Sequence, residues 1–412
     1  MRQHHRLDGN YDAAVSRDGR RALSIALGIR RLHPRGGLEN ACIQIAGLLQ
    51  ARGHAVKILT AGAPVDLPFE VACVGDRRRT YTNHGGMLAF AAAFREACET
   101  GFDRTVAFQA MPADLLFLAA GLVDRPDVPA WKRLTPRFRA FAGLEAACLS
   151  PGSRTRVIGL TARQMSAFAA RYAIATDRIA ILPPTVNPDC HRPERPVDAE
   201  RQRLRRELGI DPCRPVWLWI GLQPAIKGLD RVVEALARTP EAQLLVCGLS
   251  ETSKKMQPIL RLARRRGVRS RIRCLGFLPS DDDRFYGVLQ AADVLAHPAR
   301  TDTTGTVILE AIVNGLPVVA TELCGYSEHV RRSGCGMVLG DPFDLGRLCE
   351  ALVAVGGRRG DLAQKGIDYG ADPMLYAGIH RAVELIEAPL DQPWPALSYA
   401  DVSSLQGREG KP

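Results

Sequence analysis

Leu295-Ala296-His297-Pro298-Ala299-Arg300-Thr301-Asp302-Thr303-Thr304-Gly305-Thr306-Val307-Ile308-Leu309-Glu310-Ala311-Ile312 is the stretch from which the fold is read. It begins as a buried apolar strand, passes through a short polar loop and continues as a helix. Thr304-Gly305-Thr306 stands where the helix starts, and the first N–H groups of a helix have no carbonyl partner within it. Such a start suits a phosphate or a sugar hydroxyl. Asp302 and Glu310 lie on either side of the glycine turn. At roughly 3.6 residues per turn, Glu310 falls on the face where Thr306 points. A carboxylate there can accept two hydrogen bonds from a vicinal diol. Acidic pairs at this spacing also arise by chance, so the context decides. The pair follows a strand ending in His297-Pro298. It precedes a small-residue helix ending in Asn314-Gly315 and then the apolar run 316–321.

Outward from this unit, strand and helix patterns alternate. In the first half, 22–28, 55–60, 105–108, 157–160 and 179–182 read as strands. Leu38, Cys42, Ile45 and Leu49 recur at helical spacing over 38–51, and Gly53 stands where that helix would stop. An arginine-rich stretch, 187–214, reads as a connector with one short helix. The second half restarts with Val216-Trp217-Leu218-Trp219-Ile220-Gly221. Helices over 229–237, 254–266 and 281–291 then alternate with strands over 242–248, 271–277, 293–297 and 317–321. This alternation predicts an α/β fold of two Rossmann-like domains, each a parallel sheet with helices on both faces. The expected layout is a mobile tail (1–20), a first domain (21–186), the connector (187–214), a second domain (215–370) and a helical tail (371–412) packing back toward the first domain.

Composition bounds the partners. The chain has 412 residues, enough for two domains, and 46% of them are hydrophobic. No apolar run reaches the ~20 residues of a membrane-spanning helix, and 22–28 is too short and too closely followed by arginines for a signal-peptide core. The 11 cysteines are scattered without a C-x-x-C pair, which predicts buried free thiols in a reducing cytoplasm and neither disulfides nor a zinc site. A net charge of +11 favours an anionic partner: nucleotide phosphates, anionic lipid or nucleic acid. No nucleic-acid motif is present, so nucleic acid is set aside.

Three further segments complete a candidate site. Gly36-Gly37 lies between the first strand and its helix, where glycine permits close approach of a ligand to the backbone; it is also a plain turn sequence. Lys227-Gly228 follows the first strand of the second half, where a lysine can neutralise a diphosphate; an isolated lysine is more often a solvated charge. Trp131-Lys132-Arg133-Leu134-Thr135-Pro136-Arg137-Phe138-Arg139-Ala140-Phe141 mixes cations with large apolar groups. As one helix it would lie on an anionic bilayer, or equally pack its apolar side into its own domain.

With these segments in view, the chain resembles the lipopolysaccharide core heptose glucosyltransferases, a branch of the retaining glycosyltransferases of family 4. That family's signature is a glutamate, seven residues and a second glutamate, here Asp302 and Glu310. The resemblance runs from about residue 22 to 387 and includes Pro34-x-Gly36-Gly37-Leu38, Arg52-Gly53-His54, Thr82-Asn83-His84-Gly85 and Met111-Pro112. It continues through Ile181-Leu182-Pro183-Pro184, Lys227-Gly228-Leu229-Asp230-Arg231, His297-Pro298-Ala299, Gly305-Thr306-Val307-x-Leu309-Glu310-Ala311 and Cys324-Gly325-Tyr326. It implies the GT-B fold, with an acceptor domain, a nucleotide-sugar domain and a cleft between them. It implies transfer of a hexose, glucose above all, from a UDP-sugar co-substrate to an inner-core heptose, with no other cofactor and no metal. The enzyme would sit in the cytoplasm, peripheral on the anionic inner face of the inner membrane. Lys227 and Asp302 would be catalytic. Gly36, Gly37, Lys227, Asp302, Thr304, Gly305, Thr306, Glu310 and Phe277 would bind the donor, with Gly276-Phe277-Leu278 beside the uracil. Asn83, His84 and Met111 would lie on the acceptor side.

The chain departs from the branch at Ala41, where an aspartate is usual, at Gln109-Ala110 for Asn-Lys, at Gly121 for an aspartate, at Ile226 for a basic residue and at Asp302 for glutamate. Three readings stay open: an active hexosyltransferase of the lipopolysaccharide core, an impaired member that binds nucleotide-sugar or membrane, and a glycosyltransferase of another bacterial glycan. Arg35 is a possible replacement for the cation missing at 226.

Overall fold

The computed structural model describes residues 21–32, 36–62, 67–75, 82–192, 198–280, 282–392 and 394. The expected tail 1–20, Arg35 and Asp281 lie outside the described residues. The chain divides into two compact units. One lies within Met1–Gly159, Met165–Ile181 and Ile379–Pro412; the other lies within Leu160–Gln164 and Leu182–Gly378.

The first unit is built on a seven-stranded parallel sheet. Its strands are β1 (Ser24–Gly28), β2 (Ala55–Thr60), β3 (Glu70–Cys73), β4 (Arg104–Ala107), β5 (Leu115–Leu118), β6 (Arg156–Gly159) and β7 (Ile179–Ile181), in the order β3-β2-β1-β4-β5-β6-β7. Helices α1 (Gly37–Ala51), α2 (Asn83–Ala97), α3 (Ala130–Arg133), α4 (Pro136–Leu149) and α5 (Ala162–Tyr172) connect them. Leu115-Leu116-Phe117-Leu118 is buried throughout, as expected for a strand covered on both faces. The Phe90 and Phe94 side chains of α2 fill the core with Met87, Leu116, Leu144 and Phe168.

The second unit carries a six-stranded parallel sheet. Helix α6 (Asp198–Glu207) leads into β8 (Val216–Ile220), α7 (Leu229–Arg238), β9 (Gln243–Cys247), α8 (Gln257–Arg265) and β10 (Ile272–Gly276). Then follow α9 (Asp283–Ala291), β11 (Val294–His297), α10 (Thr306–Val313), β12 (Val318–Thr321), α11 (Ser327–Ser333), β13 (Gly336–Leu339), α12 (Leu345–Gly357) and α13 (Arg359–Gly370). The strand order is β10-β9-β8-β11-β12-β13. The period of two in a strand divides β8 between two cores. Trp217 and Trp219 face α7, α8 and α12, while Val216, Leu218 and Ile220 face α9, α10 and α11. The arginine-rich helix α6 is tied to this sheet through Asp293, whose carboxylate pairs with Arg201 at 2.5 Å and Arg205 at 2.8 Å.

The last described helix, α14 (Gly378–Glu387), returns to the first unit. Glu387 receives Arg52 at 2.9 Å and His54 at 3.0 Å, and Arg104 and Arg156 donate to the carbonyls of Ala388, Pro389, Leu390 and Gln392. Among the described residues no helix is long and apolar enough to cross a membrane.

Four expectations are corrected. The segment 131–141 is not one helix: α3 stops at Arg133, and Thr135 caps a new helix by accepting the Phe138 N–H at 3.3 Å, with Pro136 in its first turn. The thiols are all free but not all buried, since Cys73 and Cys213 are exposed. Helix α9 starts at Asp283 behind an Asp282 cap, and α8 starts at Gln257, three residues later than read, because Pro258 suits only a first turn.

Candidate active site

In an open parallel sheet the strand order reverses at one point. The loops leaving the two central strands diverge there and open a crevice at their carboxyl ends. In the second unit that point lies between β8 and β11. The loop after β8 carries Lys227 and Gly228; the loop after β11 carries Asp302, Thr304 and Gly305. Each loop ends on a left-handed glycine at a helix start, Gly228 at φ 73° before α7 and Gly305 at φ 78° before α10. Gly228 is fixed twice, because a Cβ there would also overlap the Pro298 carbonyl. The two helix starts therefore share one end of the sheet, each with unpaired N–H groups.

Asp302 is the centre of this end. Its Oδ2 receives Lys227 Nζ at 2.5 Å and His297 Nε2 at 2.9 Å. Its backbone is pinned as well: the N–H donates to Leu323 O at 3.2 Å, and the carbonyl accepts from Gly325 N at 3.0 Å. This explains the Cys324-Gly325-Tyr326 motif locally, since a Cβ at Gly325 would overlap the Thr303 carbonyl. Burial by itself would raise the Asp302 carboxyl, but the hydrogen bond and charge of His297, with Lys227, outweigh it and bring it down to about 2. Burial would lower His297; the bond to Asp302 and the neighbouring Cys324 outweigh it and raise the imidazole to about 9.

Glu310 stands in the second turn of α10, buried at 9% exposure, and no described residue hydrogen-bonds its carboxylate. Burial pushes its carboxyl up to about 7. A buried acid without a partner is costly in a finished fold. At the start of the same helix the Thr304 and Thr306 hydroxyls lie 3.5 Å apart. Phe277 lies half-buried just after β10, two strands away from β8.

The first unit has its own reversal, between β1 and β4. Gly36 precedes α1 in extended conformation, and a Cβ there would overlap the Glu39 carboxylate, whereas Gly37 faces open space. Thr82 caps α2 by accepting the Gly85 N–H at 3.1 Å. Asn83 is exposed and accepts from Arg30 Nη1 at 2.6 Å, and His84 lies beside the Thr82 hydroxyl at 3.4 Å. Gln109 accepts the Arg30 N–H at 2.9 Å and so ties the ends of β1 and β4 together. Met111 is buried and packs with Phe94 over Gly28. Arg30, Gln109 and His297 were not among the site residues read from the sequence. His297 stood at a strand end inside the quoted motif, and Gln109 was marked as a departure from the branch.

Nothing in the fold explains the departures at Gly121 and Ile226. Gly121 is exposed with open space where a side chain would stand, so the fold does not demand glycine there. Ile226 is 41% exposed. The nearby Arg300 is drawn onto Asp230 at 2.8 and 2.6 Å and onto the Ala225 carbonyl.

Comparison with known proteins accords with this arrangement. Residues 200–354 match the family described as Glycosyl transferases group 1. The chain is 32% identical over 380 residues to the lipopolysaccharide glucosyltransferase WaaG of Escherichia coli K12, covering 89% of this chain and 99% of that protein. It is 32% identical over 262 residues to a D-inositol 3-phosphate glycosyltransferase of Xylanimonas cellulosilytica, covering 58% and 61%. The crystal structure of WaaG superposes with a TM-score of 0.80 at 30% identity, over 89% of this chain and all of that one. Anabaena HepE, crystallised with UDP and glucose, shares the fold at a TM-score of 0.65 and 19% identity, over 88% and 98%. The chain therefore belongs to the group 1 glycosyltransferases, enzymes of sugar transfer built as two Rossmann-like units in the GT-B manner.

Proposed function

We propose that the enzyme moves glucose, with retention, from UDP-glucose to an inner-core heptose of lipopolysaccharide. The observation that carries the donor side is Glu310, a buried carboxylate without a described partner at the point where the sheet order reverses. A ribose diol satisfies such a group with two hydrogen bonds. The diphosphate would lie over the starts of α7 and α10, with Lys227 as its counter-charge and Thr304, Gly305 and Thr306 offering N–H and hydroxyl donors. Gly36 and Gly37 would also bind the donor, and Phe277 would border the base. Asn83 and His84 would meet the acceptor.

In the transfer, the bond from the sugar C1 to the diphosphate oxygen breaks. The acceptor oxygen bonds to C1 on the same face, and its proton passes to the departing diphosphate. No protein nucleophile is needed, so the residues act by positioning and by stabilising charge on the leaving group. Lysine and helix-start amides can carry that charge without a metal ion. The name of the WaaG relative supports glucose and lipopolysaccharide. Its extent, nearly the whole of both chains, favours that acceptor over another glycan.

With such an acceptor the enzyme would work on the cytoplasmic face of the inner membrane, with the α3–α4 region against anionic lipid. Trp131 and Leu134 are 64% and 66% exposed there, which supports this reading. The departures at Ala41, Gly121 and Ile226, with Arg300 occupied by Asp230, favour an impaired member as the second reading. Two measurements separate them: UDP release from UDP-glucose by the purified enzyme, and the mass of core oligosaccharide from a deletion strain. Turnover with loss of one hexose from the core supports the proposal. Saturable UDP binding without turnover, and an unchanged core, would establish the impaired reading.

A further inference from the structure

Two donors share one oxygen of Asp302, and they differ in mobility. Lys227 is on a loop, its long side chain partly open to solvent. His297 is 1% exposed at the end of β11, with its backbone in register with Ala320 of β12. A carboxylate only accepts hydrogen bonds, so the proton between His297 and Asp302 sits on His297 Nε2 whatever the charge of the ring. Among the described residues nothing bonds to Asp302 Oδ1. The groups facing the imidazole are the Asp302 carboxylate, the Lys227 ammonium beyond it and the Cys324 thiol, whose Sγ lies 3.9 Å from the His297 carbonyl.

We infer that His297 is a positioning residue for sugar transfer: it keeps Asp302 fixed when Lys227 leaves that carboxylate for the diphosphate of the donor. The inference rests on the donor site proposed above. Lys227 in its present place is neutralised by Asp302 and cannot also serve a leaving group. An incoming diphosphate carries more charge than one carboxylate and draws the ammonium across. Asp302 then loses one of its two cation-side bonds while staying buried. Its backbone is held by Leu323 and Gly325, so the freedom left to it is rotation of the carboxylate. The His297 Nε2–H stops that rotation and leaves Oδ1 for a hydroxyl of the transferred sugar. His297 thus acts through Asp302 and touches neither substrate.

The test contrasts His297→Gln with His297→Asn. A glutamine amide reaches about as far as Nε2 and can still donate to Asp302; an asparagine amide reaches only as far as Nδ1. Both variants put a neutral amide in the same buried place, so melting temperatures should fall alike. With UDP-glucose and core acceptor, the glutamine variant should stay within about threefold of wild-type kcat. The asparagine variant should lose roughly tenfold to a hundredfold in kcat, the worth of one hydrogen bond to a charged group, with donor KM changed less than about threefold. Nitrogen NMR of the imidazole should show Nε2 protonated both free and with UDP bound. Equal kinetics for the two variants, or a loss confined to KM, would overturn the role of His297. Failure of wild-type enzyme to bind UDP would instead overturn the donor site, while the Nε2 resonance would still report the Asp302 bond. Should both variants fail to fold, a UDP titration in which wild-type Lys227 stays on Asp302 would overturn the exchange, and its release with Nε2 still protonated would support it.

Discussion

In the proposed donor site Glu310 would couple donor binding to protons. Its carboxyl is raised by burial from the usual 4.5 to about 7, so the folded, ligand-free enzyme holds a proton there at mildly acid pH. A raised carboxyl stabilises the fold below its unfolded value and loses that contribution as pH rises through the folded one, here between about 4.5 and 7. A diol donating two hydrogen bonds favours the ionised form and lowers the value again. UDP binding at pH 6.5 should therefore release protons, visible as calorimetric heats that differ between buffers of different ionisation enthalpy. Glu310→Gln should abolish the difference and weaken binding; a wild-type heat independent of buffer would remove Glu310 from the ribose site. Lys227→Ala should lower kcat more than it raises donor KM, because charge on the leaving group grows in the transition state. A rise in KM alone would make Lys227 a ground-state anchor.

At the scale of elements, the loop before α7 is held by geometry that only glycine meets. Gly228→Ala combines left-handed strain with overlap on the Pro298 carbonyl and should cost about 2–5 kcal/mol, read as a fall in melting temperature. The α3–α4 region presents fewer free cations than its sequence suggests. Arg133 pairs with Asp124 at 3.2 Å and Arg125 with Asp127 at 3.0 Å, while Phe141 packs on the core of its own unit. Lys132, Arg137 and Arg139 remain for lipid. Changing these three to glutamine should reduce sedimentation with anionic vesicles at low salt, each cation contributing ~1 kcal/mol near a negative surface. High salt should release the wild type; equal sedimentation of both proteins would place the contact elsewhere.

What the sequence disclosed follows the range of each interaction. β8 and β11 are legible because continuous apolar runs between turns have few other uses, and the places of Lys227 and Asp302 because they precede helix starts that the local pattern marks. β3 escapes notice: it is a four-residue edge strand, half-buried or exposed, without alternation. The Arg30–Gln109 bond spans 79 positions and leaves no local trace. Met111 sits beside proline in a polar stretch, and its burial follows from space left by Gly28 across the sheet.

At the scale of the molecule, the first unit is closed by the last described helix, α14. Glu387, nearly buried, holds both Arg52 and His54. Glu387→Ala should destabilise by about 1–3 kcal/mol, and proteolysis under native conditions should show the loss in the first unit, with the second protected. Cleavage that rises equally in both would show that the two unfold together.

This arrangement sets an order of events at the ribosome. The first unit's sheet emerges early, but the helix that completes it is translated only after the entire second unit. At ~5–20 residues per second, the roughly 200 residues between Ile181 and Glu387 take about 10–40 s. During that interval Arg52, His54, Arg104 and Arg156 await their partners, and the nascent first unit is a natural client for a chaperone. The second unit has no such delay, so a stalled chain would hold the second unit finished and the first still open.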